Sequence, residues 1–151
     1  MQVTDLLTPE RIRVDAHAGS KKRLLEIVSA LISQDDDQLE SREVFESLCA
    51  REQLGSTGLG HGVAIPHGRV SRSNNVKAAF LRLRNPIDFD ASDEQPVDLL
   101  FALTVPQNCT DDHLKLLAQI AELFSDDRLC EQLRQAETAV QLRNLLSDWH
   151  H

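Results

Sequence analysis

Apolar and polar positions alternate first at Arg11–Ala16. There Ile12, Val14 and Ala16 face away from Arg11, Arg13 and Asp15, which predicts a half-buried strand. Before it, Met1–Glu10 has no clear period. The spacing then changes to that of a helix over Lys21–Gln34, with Leu24, Ile27, Val28 and Leu31 as its buried stripe and Gly19-Ser20 as its cap. A second helix opens at Ser41, read as its cap, with Val44, Phe45, Leu48 and Cys49 turned inward. The intervening Asp35-Asp36-Asp37 reads as a solvated loop rather than a metal site, because no further ligand stands at useful spacing. Two strand signals follow. In the first, Val76, Ala78 and Phe80 lie on one face and Ala79, Leu81 and Leu83 on the other; Val97–Val105 is likewise apolar on both faces. A strand with two apolar faces is covered on each side, so Val97–Val105 is expected at the centre of a sheet, stopped by Pro106. Asn85–Asp90 between them is rich in turn formers and is expected to be a loop. Three helices close the chain. The first is capped by Thr110 and buries Leu114, Leu117, Ile120, Ala121 and Phe124; the second starts at Ser125-Asp126-Asp127; the third opens with a capping box, Thr138 to Gln141.

Helices before and after a block of strands predict an α/β chain: a three-layer α/β/α sandwich around one mixed sheet. Its 151 residues fit a single domain spanning 1–151. A formal net charge of −8 argues against nucleic acid and anionic membrane as partners, and favours a basic protein. Cys49, Cys109 and Cys130 are odd in number and lack CxxC spacing, so they read as reduced structural thiols. No signal peptide is evident and no apolar run is long enough to cross a bilayer, which leads to the expectation of a cytoplasmic protein.

The chemistry concentrates in Gly55–Arg69. Four of the six glycines fall within Gly55–Gly62 and a fifth is Gly68. Such clustering calls for positive φ or close backbone approach, and successive glycine turns can aim N–H groups at an anion. Neither a P-loop nor a dinucleotide fingerprint is present. Val63-Ala64-Ile65 instead leads into Pro66, so Ile65 is expected to end a strand and His67 to stand just past it, with Gly68 removing bulk beside the imidazole.

Leu54-Gly55-Ser56-Thr57-Gly58, Gly60 and Ala64-Ile65-Pro66-His67-Gly68 resemble the active-site signature of the enzyme IIA domains of the bacterial phosphotransferase system, fructose/mannitol type. The likeness continues through Phe89-Asp90-Ala91 and Gln95–Phe101 to His113-Leu114-Lys115-Leu116-Leu117, nearly the whole chain, and is greatest toward the nitrogen-regulatory branch. This resemblance implies a phosphoryl-carrier histidine at His67, modified at Nε2, and a second histidine at His113 that steadies the phosphoryl group. It also implies a phosphate or partner contact at Arg51, and no cofactor. A phosphate cradle is assigned to Gly55, Ser56, Thr57, Gly58 and Gly68. The implied donor is a small histidine phosphocarrier protein (HPr/NPr-like); the implied outputs are regulatory targets such as potassium-transport or sensor-kinase proteins. Neutral imidazole suits the role, being nucleophilic at physiological pH and forming a phosphoramidate that transfers on.

Other readings stand beside this one. The same signature serves sugar transport, where the phosphoryl group passes to a IIB domain, and the family fold also occurs in non-catalytic binding modules. His113 is followed in reverse by Asp112 and Asp111, which oppose a nearby phosphate unless they point outward, and Arg51 can simply be a helix-end cation. His61, where the family has a small polar residue, could join His67 and His113 around a metal, but Pro66 breaks the alternation and glycines stand where supporting groups would be, so no metal is assigned. His150 and His151 end the sequence in the manner of a purification tag and are set aside.

Overall fold

The computed structural model describes residues 3–71, 75–108 and 111–149. Two short 3-10 turns, Val3–Leu6 and Pro9–Arg11, lead into strand β1 (Ile12–Ala16). Helices α1 (Lys21–Ser33) and α2 (Ser41–Gln53) follow. Then come the short strands β2 (Gly58–Gly60), β3 (Val63–Ala64) and β4 (His67–Val70), and the long strands β5 (Lys77–Ile87) and β6 (Val97–Pro106). Helices α3 (Asp111–Phe124), α4 (Asp127–Gln135) and α5 (Ala139–Asp148) complete the chain.

The sheet order is β1-β5-β6-β3-β2, with β4 also paired to β6. It is mixed: β1 runs parallel to β5, β3 and β4 run parallel to β6, and the β5–β6 and β2–β3 pairs are antiparallel. β6 is the central strand, as its two apolar faces predict. Leu99, Phe101, Leu103 and Val105 pack with Phe80, Ile120, Phe124, Leu133 and Leu142 in one cluster beneath α3–α5. Leu100 and Ala102 pack with Ala79, Leu81, Leu24, Val28, Val44 and Leu48 in the other, beneath α1 and α2. One helical layer on each sheet face makes the three-layer α/β/α sandwich.

Local chemistry sets most boundaries. Ser20 caps α1 by accepting the Arg23 N–H, Asp126 caps α4 by accepting that of Leu129, and Thr138 with Gln141 closes the capping box of α5. Ser41 is not a cap: it is the first residue of α2, after an extended Glu40 that makes no side-chain cap bond. Asn85-Pro86-Ile87 is not loop either, since β5 shifts register after Arg82 and pairs again at Ile87 with Val97. Pro86, exposed in that shifted stretch, has no ladder N–H to lose there. The Asp35-Asp36-Asp37 run is tied down rather than merely solvated. Arg11 binds Asp35 at 2.7 Å while Lys77 reaches Asp36 at 3.1 Å. The proposed Thr110 cap, Cys109, His150 and His151 lie outside the described residues.

β3 and β4 form two segments along one edge of β6, interrupted at Ile65-Pro66. Gly68 allows α2 to lie directly over β4. A Cβ there would fall on Ser47 Oγ and 3.1 Å from the Ser47 Cβ and carbonyl carbon. Gly68→Ala is therefore expected to cost about 1–3 kcal/mol of stability, as overpacking does. In denaturant unfolding, part of that cost should disappear in the Ser47→Ala background; a Gly68→Ala effect within about 0.5 kcal/mol of zero would contradict the close packing.

Candidate active site

His67 opens β4, rather than following a strand end, because β6 offers partners beyond the Pro66 break: His67 pairs with Leu103 and Leu103 donates its N–H to Pro66 O. Its ring is half-buried, and Nδ1 lies 2.9 Å from the carbonyl oxygen of Ile65. A carbonyl only accepts, so Nδ1 carries the proton and Nε2 keeps its lone pair. The contact spans two residues across Pro66, so the Ile65-Pro66-His67 run supplies both the imidazole and the group that orients it.

His113 comes to meet it. It is the third residue of α3, only 7% exposed, and its ring centroid is 5.6 Å from that of His67 at a tilt of 53°. Its Nδ1 has no hydrogen-bond partner among the described residues. Burial pushes both imidazoles below the ordinary histidine value. For His67 the Arg51 charge adds to this, while the Ile65 hydrogen bond and Glu52 oppose it; for His113 the His67 and Arg69 charges add to it. Two neutral imidazoles side by side, with cations nearby, suit the binding of an anion between them.

Arg51, in the last turn of α2, donates through Nη1 to Gly55 O at 2.8 Å and acts electrostatically on His67. Arg69 went unnoticed in the sequence because it begins a polar stretch. Two residues after His67 on β4, it shares that strand's face and carries an exposed cation toward His113. The strand period would have found it, had β4 been recognised.

Several amides of the glycine-rich loop are bound within the protein. The N–H of Gly55 donates to Glu52 O, that of Thr57 to the Glu52 carboxylate, and that of Gly58 to Ser56 Oγ. Ser56 Oγ in turn donates to Phe89 O. Gly58 serves close packing, since a Cβ there would stand 2.7 Å from that of Ala91, and Gly68 serves the α2 approach already described. Three of the five residues assigned to a phosphate cradle thus have their amides bound, two to Glu52 of α2 and one to Ser56.

His61 belongs elsewhere. It sits at φ 56 in the β2–β3 turn, donates its N–H to Asp93 and accepts from Arg134. Val63 pairs with Leu99 and His67 with Leu103, four residues further along β6, or about 13 Å, and His61 lies beyond Val63 on the far side. That distance separates it from the His67–His113 pair. Among the described residues no three His, Cys, Asp or Glu side chains gather where a metal ion could be held, and no helix is long and apolar enough to cross a membrane.

Comparison with known proteins places the chain in a family. Residues 5–149 match the family model for the phosphoenolpyruvate-dependent sugar phosphotransferase system, EIIA 2. The nitrogen regulatory protein of Pseudomonas aeruginosa is 44% identical over 148 residues, 98% of this chain and 96% of that protein. The crystal structure of the nitrogen regulatory protein IIA-Ntr from Neisseria meningitidis superposes with a TM-score of 0.90 at 44% identity, covering 95% of this chain and 98% of that one. IIA mannitol from Escherichia coli shares the fold at 20% identity, with a TM-score of 0.78 over 93% of this chain and 98% of its own.

The lowered pKa values carry a stability consequence. As the pH falls, the unfolded chain protonates these histidines near the ordinary value, about 6.5, before the folded protein does. The stabilising effect of holding them neutral is complete above about pH 6.5 and is lost as the pH drops toward their folded values. Thermal unfolding between about pH 7 and 5 should therefore lose less stability in His113→Gln than in the parent protein. Equal losses would show that His113 does not titrate abnormally.

Proposed function

The chain belongs to the EIIA type 2 family of the phosphoenolpyruvate-dependent sugar phosphotransferase system, and on that premise we propose that it carries a phosphoryl group on Nε2 of His67. The donor is a small histidine phosphocarrier of the HPr/NPr type. The protein works in the cytoplasm, as one EIIA unit over residues 1–151, and controls regulatory targets, potassium-transport or sensor-kinase proteins among them, by binding them according to its phosphorylation state. The observation that carries this reading is the His67 Nδ1 contact with Ile65 O, which leaves Nε2 as the nucleophile beside a second, buried imidazole. Likeness to nitrogen regulatory proteins along almost the whole chain supports the regulatory branch over sugar transport.

In this scheme the Nε2 lone pair attacks phosphorus in line with the donor's P–N bond. That bond breaks, and its electron pair stays on the donor imidazole, which departs as a neutral ring because its other nitrogen holds a proton. The acceptor ring then bears both the Nδ1 proton and the phosphoryl group. The positive charge this creates is on the ring, where the Ile65 carbonyl stabilises it, and it keeps the new P–N bond ready for onward transfer. His113, with Arg51 and Arg69, faces the charge spread over the phosphoryl oxygens; phosphoryl transfer asks of a protein mainly this positioning and electrostatic support.

Modification adds up to about two negative charges at His67. Leu114, expected from its helical period to be buried, is exposed, and it follows His113 directly in the chain. A target seated beside His67 and His113, without a cation to meet the phosphate, binds the unmodified form; a cationic phosphocarrier tolerates both.

Incubation with a phosphorylated histidine carrier should place one acid-labile, base-stable phosphoryl group on the protein. His67→Ala should take none. His113→Ala should still be labelled on His67, about 10²–10³ times more slowly, the usual effect of losing one donor to a developing charge. Undiminished labelling of His67→Ala, or phosphate mapped to His113, would overturn these roles.

A further inference from the structure

Glu52 lies one residue before the end of α2, with its side chain 5% exposed. A carboxylate so deeply placed is costly unless its oxygens are satisfied. Here they accept the Thr57 N–H at 3.1 Å and the Thr57 hydroxyl, and they pair with Lys21 Nζ at 2.9 Å. Lys21 is itself steadied 4.5 Å above the Phe89 ring. Thr57 is buried, and its carbonyl accepts the Ile65 N–H at 3.0 Å. The Ile65 carbonyl, at the other end of the same residue, accepts the Nδ1–H of His67 at 2.9 Å. A continuous path of hydrogen bonds therefore runs from Lys21 at the start of α1, through Glu52 and Thr57, to the imidazole.

We infer that Glu52 is a positioning residue for phosphoryl acceptance: by holding Thr57 against Ile65 it fixes the carbonyl that keeps the His67 proton on Nδ1 and Nε2 free. The inference rests on the function proposed for His67. It also accounts for the backbone bonds of the loop around Thr57, which build a strut behind the histidine. A simple tie between α2 and the loop would need no particular geometry at His67. A strut predicts that the state of the ring changes when Glu52 is lost.

The test combines imidazole ¹⁵N spectra with phosphorylation rates. In the parent protein the His67 ring should be a single Nδ1–H tautomer. In Glu52→Ala it should become a mixture of tautomers, and the rate of phosphoryl acceptance from a phosphorylated histidine carrier should fall at least about tenfold, since a displacement near 1 Å can cost about a hundredfold. Glu52→Gln retains an oxygen for Thr57 and should recover the single tautomer and most of the rate. Thr57→Val, which removes the hydroxyl at nearly constant volume, should resemble Glu52→Ala and serves if that variant does not fold. A single Nδ1–H tautomer in both Glu52→Ala and Thr57→Val overturns the inference, as does a rate within about twofold of the parent in both. Should the parent protein take no phosphoryl group on His67, the functional reading fails, while the nitrogen spectra still decide whether Glu52 holds the ring.

Discussion

The 2.9 Å contact between His67 Nδ1 and the Ile65 carbonyl is the constraint on which the rest of the site depends. It determines which ring nitrogen is nucleophilic, and it exists because Pro66 separates β3 from β4 while both remain paired to β6. Without the β6 pairing, the carbonyl and the imidazole would have no common frame. With it, the position of His67 is tied to the most deeply buried strand of the protein, where Leu99 to Leu103 are all inaccessible to solvent. Both helical layers contribute to the same point: α3 brings His113 from one side, and α2 brings Arg51 and Glu52 from the other.

The electrostatic design runs against the protein's overall character. A chain of net charge −8 keeps Arg51 and Arg69 beside two histidines whose burial disfavours protonation. Neutral rings keep a nitrogen lone pair available, and the nearby guanidinium groups supply positive charge. Glu52, the acidic residue whose charge reaches His67, is engaged by Thr57 and Lys21. In the proposed function, an incoming phosphoryl group meets cations in a protein whose net charge otherwise repels it.

Much of this was legible in the sequence. Apolar residues on both faces placed Val97–Val105 at the centre of the sheet, and the caps at Ser20, Asp126 and Thr138 follow from side chains that compete for free amides at helix starts. His67 and His113 could be named from their setting and from the family resemblance, and the fold brings their rings together. What escaped the sequence depended on tertiary pairing. β4 has too short a period to be seen before β6 selects it, and so Arg69 was hidden. The glycine amides could not be known to face Glu52 and Ser56 rather than a ligand, because that depends on where α2 ends over the loop. His61 looked close to His67 in the chain, yet the β6 register carries them apart. Asn85–Ile87 was misread for a similar reason: turn-forming residues were overruled by a shifted but continuing ladder.

The central claim, that the Ile65 carbonyl decides the chemistry of His67, is tested most directly by the position of phosphorus on the ring. Protein labelled with ¹⁵N in its histidines, phosphorylated by a histidine carrier and examined by phosphorus–nitrogen correlation, should show the phosphoryl group on Nε2 of His67, with the proton retained on Nδ1. Phosphorus bonded to Nδ1 of His67 would contradict the account, because it would require the Ile65 hydrogen bond to break before the reaction it is held to direct.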